Sequence, residues 1–503
     1  MTGRRLAAAL CWTAAAAVAV RGATGTVNTA RSLAWLRRTH AAHPPAPGQR
    51  PHVVMVVPML REQSLIAATI DYFRDLAQAW GPATIVVATT EREHRDHRAA
   101  AARLPHLAKA LRHRRTAPWL RARYAGVLPS RDLDELADHS GDPNTDYLAQ
   151  LRQIVERTPS TPELAAKIAA ASGGTVRHHH HPDPGAVMVD QINAAVDAEL
   201  ARLAAEGHDP RRVWIGIYNA DSRPHPDTLA ALGQVPADRR AVQQSAVHTA
   251  TLGARPGPGG WTCDGAALLQ SRWSLAREIP RLRAQAAQAR RTGVRWPRLA
   301  HCTGHGLFLR GDLWHEHGGL PTATMNEDLA FGYQLSAAGE PIEVLPLLEV
   351  ADSPTSVPIL IGQHRQWFFS YPQYPAAARL AAAAGLGARH GRGWLTLQGL
   401  ARGALWLGQS PAIAATLLLP AVAARRPAAA GASAAALALY LWAPVAMLTA
   451  VRHPGRLRRF GGRDLAGVTA AALLSSAGPW WCLADSARAA LAGSPIEHGK
   501  TER

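Results

Sequence analysis

The sequence predicts an α/β fold: a mostly parallel sheet flanked by helices, joined to membrane-spanning helices. Three observations predict it. Residues 53–58 and 84–90 are short apolar runs separated by a helical pattern over 64–79, the opening strand–helix–strand unit of a parallel sheet. Further strand-like runs recur at 212–218, 243–247 and 342–346. Beyond Gly393 the chain turns to long Ala- and Leu-rich stretches with few charges, long enough to cross a bilayer.

Size and charge narrow the field. A chain of 503 residues holds a sizeable globular domain plus a second region. Its 55 Lys+Arg against 37 Asp+Glu give a net charge of +18, which suits anionic partners. A nucleic-acid partner is not expected, because the sequence has no zinc spacing, aromatic RNA-binding motif or basic helix with heptads. Cys11, Cys263, Cys302 and Cys482 are scattered, without a Cys-x-x-Cys pair. That argues against a disulfide framework and structural zinc, and fits a cytosol-facing domain.

At the N-terminus, residues 6–20 follow Arg4-Arg5 as an unbroken run of apolar and small residues. Such a run fits a signal-peptide core, with cleavage, or a short membrane anchor over residues 1–25. The more basic segment beyond it (Arg21, Arg31, Arg37, Arg38, Arg50) favours an anchor with the downstream chain cytoplasmic. Residues 43–48 read as a linker. The stretch 92–177, rich in Arg, His and Ala, is too long for a simple loop and reads as an inserted helical lobe, with helices near 99–115 and 144–157. The tract His178-His179-His180-His181 reads as a short strand; metal ligation by all four is disfavoured, since alternate side chains on a strand point to opposite faces. Residues 185–203 form an amphipathic helix, and helical patterns over 267–279 and 281–291 split at Pro280.

The chemistry concentrates around Asn326-Glu327-Asp328-Leu329. Two adjacent acids open an apolar-periodic helix that stops at Gly339, where the unpaired N–H groups of a helix start favour negative charge. An acidic helix start needs no more explanation than that, but here it follows Thr303-Gly304-His305-Gly306-Leu307-Phe308 and a Gly318-Gly319-Leu320-Pro321 turn. Upstream, the 212–218 run ends at Asn219-Ala220-Asp221-Ser222, which composition alone would explain as a turn. Downstream lies Gln363-His364-Arg365-Gln366-Trp367, readable simply as an amphipathic interfacial helix.

In this order the motifs resemble those of the family-2 glycosyltransferases, in particular the membrane-bound cellulose- and hyaluronan-synthase-like group. The resemblance covers about residues 50–375 and implies a GT-A nucleotide-diphospho-sugar transferase fold. It implies Asp328 as catalytic base, with Glu327 beside it. Asp221 would ligate a divalent ion, Mg²⁺ or Mn²⁺, that bridges the donor's diphosphate. Pro58, Glu62, Asn219, Gly304, Gln363, Arg365 and Trp367 would contact substrate. The chain departs from the pattern at three places. Asn219 stands for the first metal-binding acid, Ala88-Thr89-Thr90-Glu91 for the acidic run that contacts the nucleobase, and Gln366 for an Arg. A shift of one residue swings a helical side chain by about 100°, so Arg365 is not an automatic substitute for that Arg.

Spans are expected at about 404–424, 428–451 and 465–484 within a C-terminal region 394–492, with the basic segment 452–463 cytoplasmic. A buried helical bundle is the alternative for these Ala-rich stretches. The expectation is a multi-pass protein of the cell (plasma) membrane that transfers a sugar, with inversion, from a nucleotide-sugar donor to a lipid-linked or glycan acceptor. The competing expectation is a protein of the same fold that binds nucleotide sugar or a partner without turnover. A transporter is disfavoured by the few spans and their lack of buried polar pairs.

Overall fold

The structure is a computed structural model of the chain; residues 2–39, 46–124, 128–291, 293–423, 426–448 and 461–492 are described. Its strands are β1 (His52–Pro58), β2 (Ala83–Thr90), β3 (Val176–His181), β4 (Val213–Ile217), β5 (Ala241–Gln243), β6 (Ala246–Val247), β7 (Leu307–Arg310), β8 (Ile342–Val344) and β9 (Glu349–Val350). Seven of them form one sheet in the order β3-β2-β1-β4-β7-β5-β8, while β6 and β9 pair separately. Within the large sheet only β7 runs antiparallel to its neighbours. The expected α/β class with a mostly parallel sheet flanked by helices is what forms.

The apolar runs become strands because both faces of the sheet are covered. Along β1 the pleat sends Val53, Met55 and Val57 into one core and Val54 and Val56 into the other. The first core is closed by the helices Ile66–Trp80 and Thr161–Ala171, through residues such as Phe73 and Ala165. The second is closed by Met188–Ala205 and Ile279–Ala289, through Ile192, Val196 and Leu282. Register decides where chemistry can sit. Pro58 pairs with Ala88, Val56 with Ile217, and Leu307 with both Ile217 and Gln243. The carboxyl ends of the parallel strands and the start of β7 therefore share one rim, the usual place for ligands in such sheets.

Among the described residues, six helices lie between β2 and β3. The expected 99–115 helix is two, Arg92–Ala101 and Leu104–Leu111, with Pro105 in the first turn of the second. The expected 144–157 helix begins at Tyr147, where the Asp146 carboxylate accepts from the Leu148 and Ala149 N–H groups. Leu107, Leu111, Leu120, Leu133, Leu136 and Leu151 give this region a core of its own. Thr161–Ala171 is different, because it packs on the sheet and delivers the chain to β3. The break expected at Pro280 is a wide helical turn, Ser274–Glu278, with Pro280 opening the helix after it.

The N-terminal apolar run is part of a single helix, Thr2–Thr39, far longer than a signal-peptide core. Leu33 and Leu36 at its far end reach the sheet's core, and Ser32 Oγ donates to the Leu275 carbonyl at 2.7 Å. Gly3–Thr39 and Pro427–Leu448 are long and apolar enough to cross a membrane. A third crossing counts if Arg389–Leu407 and Gln409–Val422, bent by 43°, act as one span. The stretch expected to span at 465–484 is instead two shorter helices, Gly462–Leu474 and Ala477–Ala492. Ser475 and Ser476 break it: Ser476 Oγ donates to the Trp406 carbonyl at 2.7 Å. Residues 43–45 of the linker, Arg425 and the basic stretch 452–460 lie outside the described residues.

Gly462–Leu474 crosses Gly257–Trp273 backbone to backbone. A Cβ on Gly265 would lie 2.1 Å from the Gly467 carbonyl carbon, and one on Gly467 would lie 2.0 Å from the Trp261 oxygen. Gly265→Val and Gly467→Val are each expected to cost at least about 1–3 kcal/mol, read as a lowered melting temperature in detergent. Gly393→Ala, with nothing within 4 Å of the added carbon, should leave it unchanged or raise it slightly.

Candidate active site

Two loops and one helix start meet at the rim. The first loop follows β4. Asn219 N–H donates to Ser222 Oγ and Ser222 N–H returns to the Asn219 carbonyl, both at 3.1 Å, closing a tight turn around Ala220-Asp221. Helix Ile66–Trp80 holds it from one side, as Thr69 Oγ1 donates to the Ala220 carbonyl and the Tyr72 hydroxyl to the Pro224 carbonyl. From the other side, Arg223 and Val350 exchange backbone hydrogen bonds at 2.9 Å. Asn219 and Asp221 stay half-buried.

The second loop, Thr303-Gly304-His305-Gly306, leads into β7. Gly306 has φ of +65°, and a Cβ there would sit 2.5 Å from the Gln244 carbonyl oxygen, so only glycine fits. Gln243 accepts from Thr303 N–H at 3.0 Å and donates to the His305 carbonyl at 2.8 Å. Gln244 accepts from the Tyr218 hydroxyl at 2.6 Å and donates to Thr228 Oγ1 at 2.9 Å. These bonds fix His305, whose Nδ1 lies 3.2 Å from Oε1 of the fully buried Glu349. Burial alone would lower the His305 pKa, but Glu349, then Glu278 and Asp221, outweigh it and raise it to about 9. Glu278, hydrogen-bonded by Ser245 Oγ at 2.7 Å, is pushed by burial up to about 7. At neutral pH the loop thus carries an imidazolium.

The helix Glu327–Ala338 starts beside it. Asn326 Nδ2 donates to the Gln366 carbonyl at 3.0 Å and to Ser370 Oγ, tying the helix start to the Val357–Phe368 helix. Asp328 Oδ1 accepts from Leu329 N–H at 2.7 Å, and Oδ2 lies 3.4 Å from where a Gly304 Cβ would be. Burial raises the Asp328 pKa against the pull of backbone N–H groups and His305. Burial and the Asp328 charge raise that of Glu327 further. A helix start is expected to hold its acid fully ionised; here burial overrides the dipole and raises both carboxyls above their ordinary range.

Asp221 and Asp328, 107 residues apart in sequence, therefore both act on one imidazole, His305. Pro58 ends β1 on the same rim, and Glu62 N–H donates to Thr161 Oγ1 at 2.9 Å just beyond. Gly304 lies against Asp328. Gln363 and Trp367 lie on the Val357–Phe368 helix, whose carbonyls hold Asn326, and both are half-buried. Arg365 points elsewhere: it pairs with Asp485 of the last helix at 2.6 Å, over the rings of Phe369 and Trp481. Sequence reasoning missed His305, Glu349, Glu278, Gln243 and Gln244 as site residues. For Gln243, Gln244 and Glu349 a signal was present, as polar residues in or next to short apolar strands.

The His305–Glu349 pair has a pH signature. A histidine with a raised pKa contributes stability that is full below its unfolded value, about 6.5, and lost as pH rises through about 9. Glu349→Gln is expected to cost about 1.5–3 kcal/mol below pH 6.5 and to flatten the fall between 6.5 and 9, measured by thermal unfolding across pH.

No protein-family model and no curated protein matches the chain. Among solved structures, a mannosyltransferase from Pyrobaculum calidifontis, determined in complex with GDP-Man and Mn²⁺, is similar at a TM-score of 0.43 and 17% identity. The match covers 92% of this chain and 97% of that one. At that level the likeness assigns neither family nor activity.

Proposed function

We propose that the chain is a membrane-bound, inverting glycosyltransferase of the GT-A kind that moves a sugar from a nucleotide-diphosphate donor to a lipid-linked or glycan acceptor. The observation that carries this reading is the convergence of Asp221, His305 and Asp328 on one rim. Asp328 accepts the proton of the acceptor hydroxyl as that oxygen bonds to the anomeric carbon and the bond to the diphosphate oxygen breaks. Glu327, buried beside Asp328, raises the proton affinity of the pair and so its strength as a base. The His305 imidazolium faces the charge that gathers on the departing diphosphate.

Asp221 and Asn219 offer one carboxylate and one amide oxygen. Few protein ligands suit Mg²⁺ or Mn²⁺, which keeps waters and takes substrate phosphates for the rest. Bound there with the diphosphate, the ion would neutralise the leaving group. Pro58 and Glu62 border the donor side, and Gln363 and Trp367 the acceptor side. Arg281 and Arg402 lie beside each other near His301, where Arg402 Nη1 stands 2.9 Å from its Nε2, and favour an acceptor that carries phosphate. A location at the cytoplasmic face of the plasma membrane, where nucleotide sugars are, is supported by the helices Gly3–Thr39 and Pro427–Leu448, which are long and apolar enough to cross a membrane. Asn219 in place of an acid favours one second reading, a binder that does not turn over.

Asp328→Asn is expected to lower turnover about 10²–10⁴-fold while nucleotide-sugar binding persists. Asp221→Asn should abolish the Mn²⁺ dependence of that binding, read by calorimetry on detergent-solubilised protein. Unchanged turnover in Asp328→Asn removes the mechanism, and Mn²⁺-dependent binding with no turnover of any sugar by the parent chain selects the second reading. The pH–rate profile should be a bell. Its acid limb belongs to the Glu327–Asp328 pair, above the ordinary carboxylate range, and its alkaline limb to His305 near 9. Glu349→Gln should move the alkaline limb down.

A further inference from the structure

We propose that Glu91, His94 and His180 form a binding site for one divalent transition-metal ion of the Zn²⁺ class, where β2 ends and β3 runs alongside it. This site shares no residue with the one around Asp221 and does not depend on the transferase reading. The three ligand atoms lie within 4.8 Å of one another. Glu91 Oε2 stands 2.9 Å from His94 Nδ1 and 3.4 Å from His180 Nε2. Two ligands on a tetrahedral ion with bonds of about 2.0–2.2 Å stand about 3.3–3.6 Å apart, so small side-chain adjustments admit the ion.

The far side of each ring is already held. His94 Nε2 lies 3.2 Å from Ser160 Oγ, and His180 Nδ1 lies 3.0 Å from Thr89 Oγ1. Thr89 Oγ1 in turn lies 2.7 Å from His178 Nε2. An ion on His180 Nε2 requires Nδ1–H to donate to Thr89 Oγ1, a bond that the 3.0 Å separation allows. Hydroxyls that fix the tautomer of ligating histidines are the usual outer layer of such a site.

The site is half-buried and uses three protein ligands, which leaves a fourth position for water. Two imidazoles and one carboxylate suit Zn²⁺ over Mg²⁺ or Ca²⁺. Arg98 engages the other carboxylate oxygen, Oε1, at 3.2 Å and leaves Oε2 to the ion. An ion here would link the end of β2, the edge strand β3 and the start of the Arg92–Ala101 helix. Through Ser160 it would also reach the start of Thr161–Ala171.

The test uses the full chain in detergent, stripped with a chelator and titrated with Zn²⁺ by calorimetry, with Co²⁺ followed by its visible spectrum. One equivalent of Zn²⁺ and a Co²⁺ spectrum of tetrahedral intensity are expected. His94→Ala, His180→Ala and Glu91→Gln should weaken Zn²⁺ binding by more than about 100-fold, and Thr89→Val by about 10–100-fold. Zn²⁺ should raise the melting temperature of the parent chain but not of His94→Gln, a half-exposed helix position whose folding is checked by circular dichroism. His179→Ala, on the opposite face of β3, should bind as the parent does. Equal affinity in His94→Ala and His180→Ala would overturn the proposal, as would an equal loss in His179→Ala.

Discussion

The ion pair of His305 with Glu349 is the constraint on which the site depends. A fully buried carboxylate is costly unless it is paired and hydrogen-bonded. Here its partner is held by a loop that Gln243 and Gln244 hold at both ends. That arrangement exists only because β7 enters the sheet between two strands whose carboxyl ends lie at its start. Reversing one strand in an otherwise parallel sheet delivers a loop, rather than a strand end, into the rim. The imidazolium on that loop then supplies positive charge that acts on two aspartates far apart in sequence.

The same site is mechanically tied to the apolar helices. Asn326 clips the acid helix to Val357–Phe368, and Arg365 clips that helix to Ala477–Ala492 through Asp485. From the other end of the chain, Leu33 and Leu36 pack into the sheet's core. The position of Asp328 is therefore set by helices outside the sheet as well as by the sheet itself.

Much of the fold was legible in the sequence because a sheet covered on both faces writes itself as unbroken apolar runs: 53–58, 84–90 and 212–218 all became parallel strands. Strand neighbours were not legible, since β7 pairs with β4 and β5 by register that no local pattern records. The acid helix and its Gly339 stop were legible through capping chemistry, and Gly339 adopts the left-handed conformation such a stop requires. The charge state of its acids was not, because burial is a tertiary property. The break in the 465–484 stretch was not legible for the same reason: Ser475 and Ser476 bond to groups of a helix remote in sequence. The histidine tract was rightly read as a strand, yet His180 met His94 and Glu91 only through the β2–β3 pairing.

The most direct test of the central claim is the position of Mn²⁺ located by its anomalous scattering in crystals grown with a nucleoside diphosphate. The account expects the ion on the Asp221 carboxylate, with the diphosphate lying between Asp221, His305 and Asp328. A nucleoside diphosphate bound elsewhere, or Mn²⁺ found only at Glu91, His94 and His180, would contradict it.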